Sequence, residues 1–144
     1  MFPNSWTGGT TMMLRYEDRL PGVLIVDSDP ASRIAMASAM EQQGWQVWTA
    51  ANGEQAVEEY QHEGDRIDVA LVDLQLPGLL GVRVLSELAE INPDLPTCAM
   101  SANVSPYAAS AFRRMSATPL FTKPMDIRAL SFILHEMIAP VGKR

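Results

Sequence analysis

The chain has 144 residues, 47% of them hydrophobic and 19% charged, which is the size and composition of one soluble globular domain. Its net charge of -6 and its scattered basic residues argue against direct binding of nucleic acid. Its apolar stretches fall short of the roughly 20 residues of a membrane helix. The single cysteine, Cys98, lies in an apolar run and permits no internal disulfide, so we expect a cytoplasmic protein that binds no membrane.

The composition along the chain divides it into three parts. Residues 1–21 contain prolines, glycines and a threonine pair, which favours a flexible leader. From residue 22 to residue 138, short apolar runs alternate with segments of helical periodicity, as expected of one folded domain. Residues 139–144 form a C-terminal tail, so we expect no output domain within this chain.

The alternating region predicts five strands and five helices. Three residues are suited to cap helix N-termini: Asp29, Asn52 and Asp126. In the first helix, the spacing of Ile34, Ala37 and Met40 predicts the stripe that faces the core. The predicted strands are 23–26, 46–49, 67–72, 97–100 and 120–122, and the predicted helices are 30–43, 53–62, 82–90, 106–115 and a last one from residue 127.

Short parallel strands joined by helices predict a doubly wound α/β fold. Polar residues follow four of the strands at their carboxyl ends: Asp27, Asp73, Ser101 and Lys123. In a parallel sheet these ends share one edge, so we expect the four side chains to converge there. Two adjacent carboxylates favour a hard cation such as Mg²⁺, and a nearby hydroxyl and ammonium suit a phosphoryl group on Asp73.

At these residues the chain resembles the receiver domain of two-component response regulators, the CheY-like family, over residues 22–138. The motifs that carry the resemblance are Leu24-Ile25-Val26-Asp27, Asp73-Leu74-Gln75-Leu76-Pro77-Gly78 with Gly81 after it, Ser101-Ala102 and Lys123-Pro124. The resemblance implies a single flavodoxin-like (βα)5 domain. Its five-stranded parallel sheet would have the strand order 2-1-3-4-5.

The resemblance also implies a role for each matched residue. Asp73 would accept a phosphoryl group from a histidine kinase or a phosphotransfer protein, with at most slow autophosphorylation and autodephosphorylation rather than enzymatic turnover. Ser101, Ala102 and Lys123 would bind the phosphoryl oxygens, and the Lys123-Pro124 bond would be cis. The Mg²⁺ ligands would be the carboxylates of Asp27 and Asp73 and the backbone carbonyl of Gln75.

Two positions depart from the family pattern. Ser28 stands where the family has a second acid that usually ligates the metal directly, and the loss of one charge predicts weaker Mg²⁺ binding. Leu120 stands at the switch position, where the family usually has an aromatic ring or a histidine that moves on phosphorylation. Phe121 is adjacent, but it lies on the opposite face of its strand and is not expected to substitute.

These departures leave two further interpretations open. In the first interpretation, the chain is a degenerate receiver that acts as an interaction module without phosphorylation. In the second, Asp27-Ser28-Asp29 begins a phosphatase of the haloacid dehalogenase type, with Asp27 as nucleophile and Asp29 as general acid. The second interpretation leaves the Leu76-Pro77-Gly78 sequence unexplained.

The resemblance implies that the signal passes by contact with an effector protein or an output domain. The contact face would lie on the fourth and fifth helices, where receivers dimerise or meet effectors. Tyr107, Phe112 and the pair Arg113-Arg114 are the candidate contact residues on this face. A homodimer through these helices is the corresponding prediction for assembly.

Overall fold

The computed structural model describes residues 19–76, 81–102 and 105–139. Most of the predicted leader and tail, and Pro77 and Gly78 of the motif after Asp73, lie outside these residues. The described strands are β1 Gly22–Val26, β2 Gln46–Ala50, β3 Val69–Asp73, β4 Thr97–Ser101 and β5 Leu120–Thr122. The described helices are α1 Pro30–Gln42, α2 Gly53–Glu63, α3 Gly81–Ile91, α4 Pro106–Met115 and α5 Ile127–Ile138, with a 3-10 turn at Gly64–Arg66.

The five strands form one parallel sheet in the order β2-β1-β3-β4-β5. This confirms the predicted fold class, a doubly wound (βα)5 domain of flavodoxin type. β1 and β3 occupy the centre of the sheet and are buried along their whole length. Buried central strands require branched apolar residues on both faces, which is why these two runs were so clear in the sequence.

The core has two layers, one on each face of the sheet. One layer joins alternate strand residues such as Leu24 and Val26 to apolar side chains of α2 and α3. The other joins Val23 and Ile25 to side chains of α1 and α5. Alternate residues of one strand point to opposite faces, so β1 contributes to both layers. Helices therefore cover both faces and leave the carboxyl edge of the sheet as the place for polar groups.

Helix N-termini are capped as the sequence predicted. The side chain of Asp29 accepts a hydrogen bond from the Ser32 N–H at 3.0 Å. Asn52 caps α2 in the same way, and Asp126 caps α5. These caps satisfy backbone donors that the first turn of a helix leaves without partners. They also fix where each helix leaves the sheet edge.

Two sequence-based assignments were wrong. Ile34 was placed in the core, but its side chain is 67% exposed, and Met36 joins Met40 on the buried face of α1. The alanines of α1 make its apolar stripe broad, so residue spacing did not select one face. The predicted strand at 67–72 begins two residues later, at Val69, although Ile67 is buried.

Cys98 is buried in β4, as expected, and its thiol donates to the Met137 sulfur at 3.3 Å. Burial raises the pKa of this thiol to about 12, so it stays protonated and behaves as a small apolar group. Within the described residues, no helix has the length and apolar character needed to cross a lipid bilayer.

Candidate functional site

The centre of the sheet brings two carboxylates together. Asp27 directly follows β1, and Asp73 is the last residue of the neighbouring strand β3. The side chain of Asp27 is fully buried, and Asp73 is 6% exposed. Buried carboxylates are costly unless charged or hydrogen-bonding partners compensate them, so their environment decides what they can do.

Lys123 supplies the charge that compensates both carboxylates. Its Nζ lies 2.6 Å from Oδ2 of Asp27 and 2.9 Å from Oδ2 of Asp73. The residue follows β5, and its backbone N–H donates to the Ser101 carbonyl at 2.9 Å, which ties the lysine to the end of β4. Two carboxylates and one ammonium leave one net negative charge in this cluster.

Neutral donors orient the carboxylates. The Asp29 N–H donates to Oδ1 of Asp27 at 2.9 Å, and the Gln75 N–H donates to Oδ1 of Asp73 at 2.8 Å. The Ser32 hydroxyl donates to Oδ2 of Asp27 at 2.8 Å. Both side chains are therefore held in defined orientations at the sheet edge.

These contacts determine the protonation states of Asp27 and Lys123. Burial alone would raise the pKa of Asp27, but hydrogen bonds from Lys123, the Asp29 N–H and Ser32 outweigh burial and lower that pKa below its ordinary value. Burial alone would lower the pKa of Lys123, but contacts with Asp27 and Asp73 raise that pKa above its ordinary value. At neutral pH Asp27 is therefore an anion and Lys123 a cation.

These shifts predict how stability depends on pH. The lowered pKa of Asp27 contributes stability above the ordinary value of 3.8, which is lost as pH falls through the lowered pKa. The raised pKa of Lys123 contributes stability below the ordinary value of 10.5, which is lost as pH rises through the raised pKa. Urea unfolding across pH should show both losses. In Lys123→Met the alkaline loss should shrink, and an identical alkaline loss in that variant would contradict the assignment.

The other predicted phosphoryl-binding residues lie on the same edge. Ser101 ends β4, the strand next to β3, and is 1% exposed. Ala102 follows it and is exposed, and it lines an open cleft together with Lys123. The structure therefore brings Asp27, Asp73 and Lys123 into direct contact and places Ser101 and Ala102 beside them.

Gly81 lets α3 begin directly against the end of β3. A side-chain carbon at this position would collide with the backbone carbonyl oxygen of Asp73 and with Cα of Leu74. The Gly81 N–H also donates to the Leu74 carbonyl at 3.3 Å. Only glycine permits this approach, so Gly81 fixes the backbone that carries Asp73.

The donor set at this edge suits a hard divalent cation. Asp27 and Asp73 offer carboxylate oxygens, and Gln75 offers a backbone carbonyl two residues after β3. In the part of the chain that the structure describes, no group of three or more histidine, cysteine, aspartate or glutamate side chains is arranged to hold a metal ion by itself. Ser28 adds at most a neutral hydroxyl, so the carboxylate donors at this edge are Asp27 and Asp73.

The switch position lies in the core layer on the α2 and α3 side. Leu120 is partly buried and packs against that layer, as does Phe112 of α4. Phe121 packs against the opposite layer, which confirms that it points away from Leu120. Phe112 is therefore mainly a packing residue, whereas Tyr107 of the same helix is 80% exposed.

Two residues at the site were missed by the sequence analysis. Ser32 bonds to Asp27 through its hydroxyl, and Arg33 donates from Nη1 to the Asp27 carbonyl at 2.8 Å. Both lie in the first turn of α1, just after the Asp29 cap. The sequence signal that could have identified them is a hydroxyl and a guanidinium in the first helical turn that follows the acid at the end of β1.

An open cleft of about 490 Å³ adjoins the cluster. It runs between α1 and the segment that links β5 to α5. Its lining is mostly apolar, and its polar members Ser32 and Lys123 are those that contact Asp27. The cleft is lined by Ser32, Ala35, Met36, Ala39, Ala102, Lys123, Pro124, Met125 and Ile127.

Comparison with known proteins gives one consistent result. Residues 23–135 match the family model described as response regulator receiver domain. Sporulation initiation phosphotransferase F of Bacillus subtilis is 30% identical over 105 residues, which cover 73% of this chain and 83% of that protein. Probable transcriptional regulatory protein TcrX of Mycobacterium tuberculosis is 28% identical over 130 residues, which cover 90% of this chain and 55% of that protein. Several other curated relatives are longer still, and the chain spans less than a third of their length.

Solved structures agree on the fold. One chain of the CheX-CheY-BeF3-Mg²⁺ complex from Borrelia burgdorferi superposes with a TM-score of 0.76 at 22% identity. The match covers 88% of this chain and 96% of that one. Receiver domains are phosphoacceptor signalling domains and in general not enzymes. The family match therefore favours neither the phosphatase nor the degenerate receiver that acts as an interaction module without phosphorylation. This chain belongs to the response regulator receiver domain family.

Proposed function

We propose that residues 22–138 act as a receiver domain whose phosphoacceptor is Asp73. One observation carries this assignment: the Lys123 ammonium contacts the buried carboxylates of both Asp27 and Asp73. A lysine held at this position lies ready to neutralise the charge that a phosphoryl group would add. Asp73 rather than Asp27 is the acceptor, because Asp27 is fully buried and receives hydrogen bonds from Lys123, Ser32 and the Asp29 N–H.

The transfer would be a displacement at phosphorus. A carboxylate oxygen of Asp73 forms the new O–P bond, and the bond from phosphorus to the donor nitrogen or oxygen breaks. The bonding electron pair leaves with the donor group. Lys123, the Ser101 hydroxyl and the Ala102 N–H would then bind the phosphoryl oxygens, because all three lie at the same sheet edge as Asp73.

Mg²⁺ would be held by the carboxylates of Asp27 and Asp73 and by the Gln75 carbonyl, where it would offset negative charge on the phosphoryl oxygens. The observation that supports this is the donor set itself, two buried carboxylates that carry one net negative charge with Lys123. Ser28 adds no charge, so we expect weaker binding than with an acid at that position.

The donor would be a histidine kinase or a phosphotransfer protein, and the receiver would signal by contact with an effector or an output domain. Self-catalysed phosphorylation and dephosphorylation would be slow. A homodimer would use α4 and α5, whose outer faces include Tyr107, 80% exposed, and Phe132, 67% exposed. These apolar side chains and the exposed Arg113 and Arg114 support a contact face there.

The test is incubation of the chain with a small phosphodonor and Mg²⁺, followed by intact-mass measurement. The wild type should gain one phosphoryl group, and Asp73→Asn should gain none. Asp65→Asn is the matched control, because Asp65 is exposed and lies in the 3-10 turn away from the site. Phosphorylation of Asp73→Asn to the wild-type level would refute the assignment.

The same experiment tests the alternative that the chain is a degenerate receiver, an interaction module that acts without phosphorylation. The departures from the family pattern at Ser28 and Leu120 are the observations that favour this alternative. If the wild type stays unmodified while Ser28→Asp gains a phosphoryl group, the site is intact but its metal binding is too weak. That result would favour the module over the switch. Phosphorylation of the wild type at Asp73 would exclude a module that never accepts phosphate.

A further inference from the structure

Ser32 links α1 to both charged members of the site. Its hydroxyl donates to Oδ2 of Asp27 at 2.8 Å, and its Oγ accepts from the Lys123 ammonium at 3.3 Å. Its own N–H is held by the Asp29 cap at 3.0 Å, which fixes the first turn of α1. Ser32, Asp27 and Lys123 therefore form a closed triangle of hydrogen bonds.

The triangle engages one oxygen of the Asp27 carboxylate. Oδ2 of Asp27 receives both the Ser32 hydroxyl and Lys123, while Oδ1 receives the Asp29 N–H. A carboxylate oxygen has about two lone-pair sites, so both sites on Oδ2 are occupied. A divalent cation that binds Oδ2 must displace one of these donors.

Ser32 also supplies the third hydrogen-bond acceptor for the Lys123 ammonium. An ammonium group has three N–H donors, and Lys123 has three acceptors within reach: Asp27, Asp73 and Ser32. Without the Ser32 oxygen, one N–H would need water or another partner. Ser32 thus makes the lysine more stable between the carboxylates than Asp27 and Asp73 would alone.

We propose that Ser32 is a positioning residue that holds Lys123 against Asp27 and thereby weakens the binding of a divalent cation at Asp27. The proposal rests on the function proposed above, since it concerns the same site. Ser32 acts through its hydrogen bonds with Asp27 and Lys123.

The test compares Mg²⁺ affinity by calorimetric titration of magnesium chloride into variants of the chain. Ser32→Ala should bind Mg²⁺ about tenfold more tightly, because it removes a hydrogen bond to a charged group that competes with the ion. Ser32→Thr keeps the hydroxyl and should return the affinity to the wild-type value. Ser38→Ala makes the same change at an exposed position of α1 and should have no effect.

A second measurement needs no metal. In metal-free protein, the NMR order parameter of the Lys123 ammonium should fall in Ser32→Ala and stay unchanged in Ser32→Thr and Ser38→Ala. Mg²⁺ affinity that is unchanged or weaker in Ser32→Ala, or an unchanged order parameter, would overturn the proposal. If Ser32→Ala binds Mg²⁺ more tightly and its Lys123 order parameter falls, but the wild type accepts no phosphoryl group on Asp73, then the proposed function fails and the role of Ser32 stands.

Discussion

Replacement of Lys123 by methionine is expected to cost about 3–5 kcal/mol of folding stability at neutral pH, the usual effect of removing one partner from a buried ion pair. Methionine retains most of the side-chain volume but removes the ammonium. The buried carboxylates of Asp27 and Asp73 would then lose the ammonium that contacts both of them. Urea unfolding of Lys123→Met and wild type, without divalent cations, measures the difference.

Two controls separate charge from packing in this prediction. The double variant Asp27→Asn with Lys123→Met should recover part of the loss, because one buried carboxylate no longer repels the other. Mg²⁺ should stabilise Lys123→Met more than it stabilises the wild type, since the ion would meet two uncompensated carboxylates. A loss below about 1 kcal/mol in Lys123→Met, the range of exposed ion pairs, would show that the lysine does not compensate buried charge.

Replacement of Ser28 by aspartate is expected to strengthen Mg²⁺ binding by at least about tenfold. The new carboxylate would follow Asp27 directly and add a third acid to an edge where Asp27 and Asp73 already lie. At an effective dielectric constant near 20, a carboxylate about 4 Å from the ion contributes up to about 4 kcal/mol per unit charge of the ion, which exceeds the roughly 1.4 kcal/mol of a tenfold change in affinity. Calorimetric titration with Mg²⁺ measures the change.

Ser28→Asn is the matched control for this variant. Asparagine has nearly the same size as aspartate and offers an oxygen ligand, but it adds no charge. It should raise the affinity much less than aspartate does. Equal affinities for the asparagine, aspartate and wild-type proteins would contradict the view that the missing charge at Ser28 limits metal binding.

Much of the architecture could be predicted from the sequence because it depends on local signals. Fully buried strands require continuous apolar runs, and β1 and β3 show them. Asp27, Asp73 and Lys123 could be identified as neighbours because they follow strands that share one edge. Their contacts through the lysine confirm the convergence that was predicted.

Other features depend on tertiary contacts and left little trace in the sequence. In α1, apolar residues and alanines occur on several sides, so Ile34 was placed in the core although it is exposed and Met36 is buried. Ser32 resembles an ordinary polar residue of a first helical turn. Its role depends on a hydrogen bond from Lys123, which lies 91 residues later in the chain, directly after β5. Such a long-range contact has no local pattern.

The central claim, that Asp73 accepts the phosphoryl group, is tested most directly by locating the modified residue. The chain would be incubated with a small phosphodonor and Mg²⁺, treated with borohydride to reduce the aspartyl phosphate to homoserine, and digested for peptide mass spectrometry. We predict homoserine at position 73, with Asp27 unmodified. Homoserine at position 27, or phosphate gained without any modification at position 73, would contradict the account.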